Sequence, residues 1–190
     1  MKATIRKSVF VALMLGTLTA YATGEVKRNR MEGEITFNNV KKGQHWFIKN
    51  SAGKIIHEEE IKSNGSFNQD FDFTSLKNGL YTLEVNKSFQ IDVTPFTIIS
   101  DEVIFHKKAE KVIFKPVIRT EENKILITKL HFEATDLKIV IYYKDEIIYK
   151  DTVVGNDLLK RVYALQKDKK GSYKVILKAN DRKYVKEFSL

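Results

Sequence analysis

The sequence predicts an all-β protein that folds as antiparallel β-sandwiches. Three observations support this fold class: apolar and polar residues alternate over short runs, turn-forming residues separate those runs, and a long segment of the chain recurs further on. The chain has 190 residues, which is enough for one ordinary domain or two small ones. The recurrence favours two.

The alternation is clearest in residues 66–73, where three phenylalanines occupy one parity while Ser, Asn and Asp occupy the other. Residues 81–85 and 89–93 alternate in the same way. A period of two over so few residues is typical of strands with one buried face. Turn signals follow one another at about ten-residue spacing, which favours a sandwich over βαβ units. They lie at 50–53, 63–65, 77–79, 120–123, 144–146 and 155–157.

A repeat is the strongest internal signal, because residues 55–85 align without gaps on residues 147–177. Apolar positions are kept in both copies while polar positions differ, as a shared requirement for a core would leave them. Two copies indicate two domains rather than a solenoid, which needs at least three units.

We place the boundary between these domains in the most polar stretch between the copies, residues 106–111. The first β-sandwich domain is then expected over 23–107 and the second over 108–190. Pro116 lies in a predicted strand, 112–118, and a proline confines such a strand to a sheet edge or to its first position.

A tyrosine recurs at the same place in both copies, as Tyr81 and Tyr173, each two residues after a glycine. In immunoglobulin-like sandwiches a tyrosine near the start of a late strand bonds its hydroxyl to upstream backbone, the tyrosine corner. We predict that both residues are structural tyrosine corners. A pair of tyrosines that face a ligand is the alternative.

The first residues have the order of a secretory signal peptide. Lys2, Arg6 and Lys7 precede an apolar run over 9–18, and Ala-Tyr-Ala follows, ending at Ala22. The run is about half the roughly 20 residues that span a bilayer. We therefore expect residues 1–22 to be removed by cleavage after Ala22, and the chain to be exported to the periplasm, the cell surface or the exterior.

The chain carries no cysteine and a formal charge of +9. Disulfides, thiol nucleophiles and lipid attachment through cysteine are thus excluded, and stability depends on apolar burial. The lysines are scattered among acidic residues, which indicates a solvated face that discourages edge-to-edge pairing. A real anionic partner, such as a surface glycan or nucleic acid, is the alternative.

Three segments, 76–85, 170–177 and 186–190, resemble short sequence motifs of immunoglobulin-like modules in secreted proteins of the Bacteroidetes. The first two share Gly-x-Tyr followed by alternating apolar residues, and the third ends in Phe-x-Leu. The second repeat is similar to the C-terminal sorting domains of the type IX secretion system. The resemblance implies tandem immunoglobulin-like sandwiches, and a C-terminal domain that acts as a sorting signal. Asp151-Thr152-Val153 also resembles a short acceptor motif of that lineage, which makes Thr152 a candidate for O-glycosylation.

No metal site is expected. His57 begins a segment that starts like a zinc-protease helix, but Ile61 stands where the second histidine belongs, and the segment is a predicted strand. The histidines show no paired spacing of metal ligands. They are His45, His57, His106 and His131.

No catalytic or cofactor site is expected either. Asp70 and Asp72 share one face of a predicted strand and could form a carboxylate pair, but their alternation with phenylalanines favours a solvent face. There is no Gly-x-Ser-x-Gly elbow and no glycine-rich phosphate loop. We expect a protein that is not an enzyme, with a small hydrolase or inhibitor built from dispersed residues as the minor alternative.

The expected function is a non-catalytic interaction module of the envelope or exterior, with an unidentified protein or glycan partner and no nucleic acid. A secretion-targeting protein whose second domain is a type IX sorting signal is the alternative. Trp46, the one tryptophan, is expected in the core of the first domain, with an exposed contact residue as the alternative.

Overall fold

The computed structural model describes residues 32–131, 136–155 and 157–190. The expected signal peptide, residues 1–22, and its cleavage after Ala22 lie outside these ranges. In the described residues the chain is built from strands, with two short 3-10 turns at Phe73–Ser75 and Lys107–Ala109. The all-β prediction is confirmed. None of the described residues forms a helix long and apolar enough to cross a bilayer.

The first unit comprises residues 32–114 and holds two antiparallel sheets. One pairs β1 with β4, and the other has the order β3-β2-β5-β6-β7, with β8 also paired to β6. Its core lies between the sheets, around Trp46, Phe73 and Phe96. The strands are β1 Glu32–Val40, β2 His45–Asn50, β3 Ile55–Glu60, β4 Gly65–Asp72, β5 Gly79–Asn86, β6 Gln90–Ile99, β7 Glu102–Phe105 and β8 Lys111–Phe114.

The second unit comprises the described residues from 117 to 190 and holds two further antiparallel sheets, β13-β10-β9 and β12-β11-β14-β15. A separate core includes Ile127, Ile139 and Leu177. The strands are β9 Val117–Glu121, β10 Lys124–His131, β11 Leu137–Tyr143, β12 Glu146–Val153, β13 Asp157–Ala164, β14 Ser172–Ala179 and β15 Arg182–Ser189.

The two units share one strand order. β3-β2-β5-β6 in the first unit corresponds to β12-β11-β14-β15 in the second, and the pair β1-β4 corresponds to β10-β13. The hairpins β2-β3 and β11-β12 have the same irregularity. The register shifts after Ile48 in β2 and after Ile141 in β11, and in each case an Ile-Ile pair lies on the opposite strand. Positions on the two sheets can therefore be compared strand by strand.

The segment between the units differs from the expected single strand over 112–118. β8 ends at Phe114 and β9 begins at Val117, because Pro116 has no N–H for a ladder bond and restricts the residue before it. β8 pairs with β6, so this strand lies in the sheet of the first unit. Strand pairing thus changes units at 115–116, and not at the expected division between 107 and 108.

Candidate functional site

Both tyrosines singled out in the sequence bond to backbone upstream. The hydroxyl of Tyr81 donates to the carbonyl of Lys77 at 2.7 Å, and that of Tyr173 donates to the carbonyl of Lys169 at 2.8 Å. Each bond reaches back four residues, the geometry of a tyrosine corner. Burial raises the pKa of Tyr173, so this hydroxyl stays a donor at physiological pH.

Trp46 is fully buried in the first core, as expected. Its ring lies 4.6 Å from that of His57 and 5.7 Å from that of Phe71, measured between centroids. His57 also meets Phe71 edge-on at 4.8 Å. These contacts make His57 part of the aromatic packing around the tryptophan.

His45, His106 and Asp72 each have a different local partner. His45 lies 3.0 Å from a carboxylate oxygen of Glu58, and His106 lies 2.7 Å from the hydroxyl of Thr97. Asp72 accepts hydrogen bonds from the backbone and hydroxyl of Thr74 and so caps a 3-10 turn. No group of three or more acidic, histidine or cysteine side chains within the described ranges is placed to hold a metal ion.

Thr152 is exposed on β12, at the edge of its sheet. The neighbouring Asp151 is engaged, since it accepts the hydroxyl of Tyr163 at 2.7 Å. Burial and this hydrogen bond raise the pKa of Tyr163. The threonine is therefore accessible to a modifying enzyme, and its O-glycosylation stays a prediction.

The two units meet at a buried carboxylate, Glu84, on the outer face of the first unit's sheet. Arg182, in the hairpin between β14 and β15, donates to both oxygens of Glu84 at 2.7 and 3.0 Å. Lys49 donates to the same carboxylate at 2.7 Å. A bidentate guanidinium and an ammonium on one carboxylate form a strong, geometrically specific contact. We call this cluster of Lys49, Glu84 and Arg182 the junction.

The junction shifts the protonation equilibria of its members. Burial alone would raise the pKa of Glu84, but hydrogen bonds from Arg182 and Lys49 and their charges outweigh it, so its pKa lies below the usual value. Burial tends to lower the pKa of Arg182, and the bond to Glu84 raises it overall. Both groups stay charged at physiological pH, which keeps the contact intact.

The junction lies on a buried part of one face of the first sheet. Phe47, Glu84 and Val93 lie opposite one another across β2, β5 and β6. Glu84 is 5% exposed and Val93 is 3% exposed. The part of this outer face around Glu84 and Val93 is therefore buried, although the alternation of its strands would direct it to solvent. Toward the turn between β6 and β7 the same face is exposed, at Leu80, Ile99 and Ile104.

The corresponding face of the second unit is open. Val140, Ile176 and Val185 lie opposite one another across β11, β14 and β15, in the same register as Phe47, Glu84 and Val93. Val185 is 49% exposed, against 3% for Val93. We call Val140, Ile176 and Val185 the aliphatic row.

A row of lysines lies next to the aliphatic row. Lys138, Lys178 and Lys183 are exposed and directly opposite one another on the same three strands. Neighbouring strands are about 4.8 Å apart, so three like charges stand side by side. The strand pattern places Thr152 opposite Lys138 in this row. The aliphatic row and this lysine row together are called the open face.

Sequence reasoning did not find the open face, because its lysines come from three separate strands. A signal was present: the repeat aligns Glu84 with Ile176, and the same offset continued beyond the repeat places Val93 at Val185. The register of β11 against β14 was still needed to bring Lys138 beside Lys178.

Comparison with known proteins gives one family. Residues 29–100 match the model of the secretion system C-terminal sorting domain, which is under half of the chain. The resemblance to sorting domains expected from the sequence is confirmed. From residue 32 on, the matched residues lie in the first unit and include the segment 76–85, whereas the sequence analysis gave the sorting resemblance to the second repeat. A domain of this kind implies export from the cell.

Solved structures that align with this chain include the BSP domain of a biofilm-associated protein, at 12% sequence identity and a TM-score of 0.29. That alignment covers 83% of this chain and 27% of the other chain. They also include the human OSCAR ligand-binding domain, at 6% identity and a TM-score of 0.25, with 83% and 88% covered. The chain thus spans about a quarter of the length of the first. No curated protein sequence matches.

Proposed function

We propose that the chain is an exported, non-catalytic interaction module, which contacts a protein or glycan partner of the envelope or exterior through the open face. The observation that carries this proposal is the difference between two equivalent faces. In the first unit Glu84 and Val93 are buried beside the junction, while in the second unit Val185 is 49% exposed and Val140 and Ile176 are half-buried.

The chemistry of the open face supports a binding role. Like charges placed directly opposite one another destabilise a sheet, and Lys138, Lys178 and Lys183 form no ion pair with any described residue. The aliphatic row beside them adds apolar surface, with Val185 exposed and Val140 and Ile176 half-buried. A partner that brings carboxylates or other anions together with apolar surface would reduce the repulsion among the lysines and remove the aliphatic row from water.

The shared strand order supports an origin of the two units by duplication. In the first unit the outer face makes an internal contact, with Glu84 at the position that Ile176 holds in the second. The second copy keeps its face for an external contact. Two sandwiches with different tasks for one surface fit a module that both holds a fixed shape and binds.

Site-specific cross-linking in intact cells tests the proposal. A photoreactive amino acid at Val185, on the open face, is expected to form a defined adduct, and this adduct should disappear in Lys178→Glu/Lys183→Glu. The matched control is the same amino acid at Phe89, which is 71% exposed in the turn between β5 and β6. Equal labelling at both positions, or no adduct at Val185, would contradict the proposal.

A second candidate function is favoured by the family match. Residues 29–100 match a sorting domain, so we propose as the alternative that the chain is read by a type IX translocon. Antibody against the full chain would follow it through periplasm, outer membrane and medium. We expect surface or medium location that is lost when the translocon is deleted. Retention in the periplasm of cells with an intact translocon would rule out sorting and leave the match as shared fold.

A further inference from the structure

We propose that the partner of the open face is a second copy of this chain, which docks the acidic end of its first unit there. This inference rests on the proposed function and names its partner. The docking surface comprises Leu80, Ile99, Asp101, Glu102 and Ile104, which we call the acidic tip.

The acidic tip lies at the end of the first unit where β6 turns into β7. Ile99 is opposite Glu102, while Leu80 and Ile104 flank Thr97 from the two neighbouring strands. Leu80, Ile99 and Ile104 are 63%, 53% and 39% exposed. Three aliphatic side chains therefore stand in solvent on one side of this hairpin, beside two carboxylates.

The acidic tip and the open face have complementary chemistry. Asp101 and Glu102 are exposed and have no ion-pair partner among the residues that the structure describes. The lysine row is exposed in the same way, and each set of charges borders an aliphatic group of similar kind. One contact would pair carboxylates with Lys178 and Lys183 while removing Ile99 and Val185 from water. Both the lysine repulsion and the apolar exposure would be relieved together.

The two surfaces belong to different units, so the contact is heterologous. Each copy would offer one free acidic tip and one free open face, and assembly would continue head to tail into a filament or close into a ring. The positive net charge opposes association at long range. Salt screens that repulsion beyond about 8 Å at physiological ionic strength. The close pairing of carboxylates with lysines would then determine whether two copies associate.

The junction within one chain provides a precedent for such a contact. There a hairpin turn of the second unit already packs on the outer face of a sheet of the same strand order, with Arg182 bound to Glu84. The proposed contact places a hairpin turn, that of β6 and β7, on the corresponding face of the next copy. The charges are reversed, since the face now supplies the cations and the turn supplies the carboxylates.

Sedimentation velocity on the purified chain, from micromolar to near-millimolar concentration, tests the proposal. We expect a mean mass above that of the monomer that rises with concentration. The variants Lys178→Glu/Lys183→Glu and Asp101→Lys/Glu102→Lys should each be monomeric. An equal mixture of the two variants should associate again. The unchanged acidic tip of the first variant fits the unchanged open face of the second, and the two altered surfaces carry opposite charges.

A control variant separates local pairing from net charge. Lys167→Glu/Lys170→Glu makes the same change in total charge at an exposed turn away from both surfaces, and should associate like the unaltered chain. Circular dichroism would verify that every variant is folded. A monomeric unaltered chain at all concentrations, a mixture that fails to associate, or a control that is equally impaired would overturn the proposal. A defined adduct at Val185 in cells that lacks the mass of a second copy would also overturn it, while the proposed function would stand.

Discussion

Replacing Phe96 by alanine is expected to lower the free energy of unfolding of the first unit by about 3–5 kcal/mol. Phe96 is fully buried in β6. Its ring lies 5.2–5.6 Å from those of Phe105, Tyr81 and Phe73, measured between centroids. The substitution removes apolar burial and these ring contacts together, and it leaves a cavity that surrounding strands can fill only in part.

Urea unfolding, monitored by tryptophan fluorescence, measures this loss of unfolding free energy in the first unit. Trp46 is the single tryptophan and lies in the same core, so its emission reports the first unit without a contribution from the second. The control is Phe89→Ala, whose side chain is 71% exposed and which should change the unfolding free energy by less than about 0.5 kcal/mol. Equal effects of the two substitutions would show that Phe96 does not belong to the core.

The strands and their buried faces could be predicted because period-two alternation is a local property. Phe67 and Phe71 pack against the first core, as their parity in the sequence requires. Tyr81 and Tyr173 follow from the glycine turn before each, since that turn brings an upstream carbonyl within reach of the hydroxyl. Each of these inferences depends on residues within about a dozen positions.

The junction could not be predicted, because its partners are far apart in sequence and its key residue has a misleading pattern. Glu84 alternates with Leu83 and Val85, and this pattern points its carboxylate to solvent. The inference about direction is correct, since Glu84 does face outward, but the second unit covers that side. Arg182 lies 98 residues further on, and no local pattern marks it as the partner.

β8 and the lysine row escaped prediction for a related reason. Residues 111–114 alternate too weakly to reveal which sheet they join, and only their pairing with β6 assigns them to the first unit. Scattered lysines indicate a solvated face in sequence, and the register of three strands is what gathers Lys138, Lys178 and Lys183. Strand alternation gives the face on which a residue lies, whereas its neighbours depend on non-local pairing.

The second large effect is expected at the junction, where Glu84→Gln should lower the free energy of unfolding by about 2–4 kcal/mol at neutral pH. The amide keeps the size of the side chain but removes the charge that holds two cations. Lys49 and Arg182 then stand close together with their side chains only 18% and 21% exposed, without the carboxylate that compensates them. The change should also weaken the docking of the two units.

The effect of this substitution is expected to depend on pH in one direction. The pKa of Glu84 in the folded chain lies below its usual value of 4.5, because hydrogen bonds from Arg182 and Lys49 outweigh the burial that would raise it. A carboxyl with a lowered pKa contributes stability that is fully present above the unfolded pKa and is lost as pH falls through the folded one. The difference between the unaltered chain and Glu84→Gln should therefore be constant near neutral pH and shrink below pH 4.5.

Urea unfolding at a series of pH values from neutral to acid measures this difference. Glu58→Gln is the matched control, because Glu58 contacts His45 at 3.0 Å while both side chains are about half exposed. We expect that control to change the free energy by less than about 1 kcal/mol, as is usual for surface pairs. A Glu84→Gln effect no larger than the control's, or one that grows toward acid pH, would mean that the carboxylate is not charged in the folded chain. The arrangement of the two units would then not depend on the ion pair between Glu84 and Arg182.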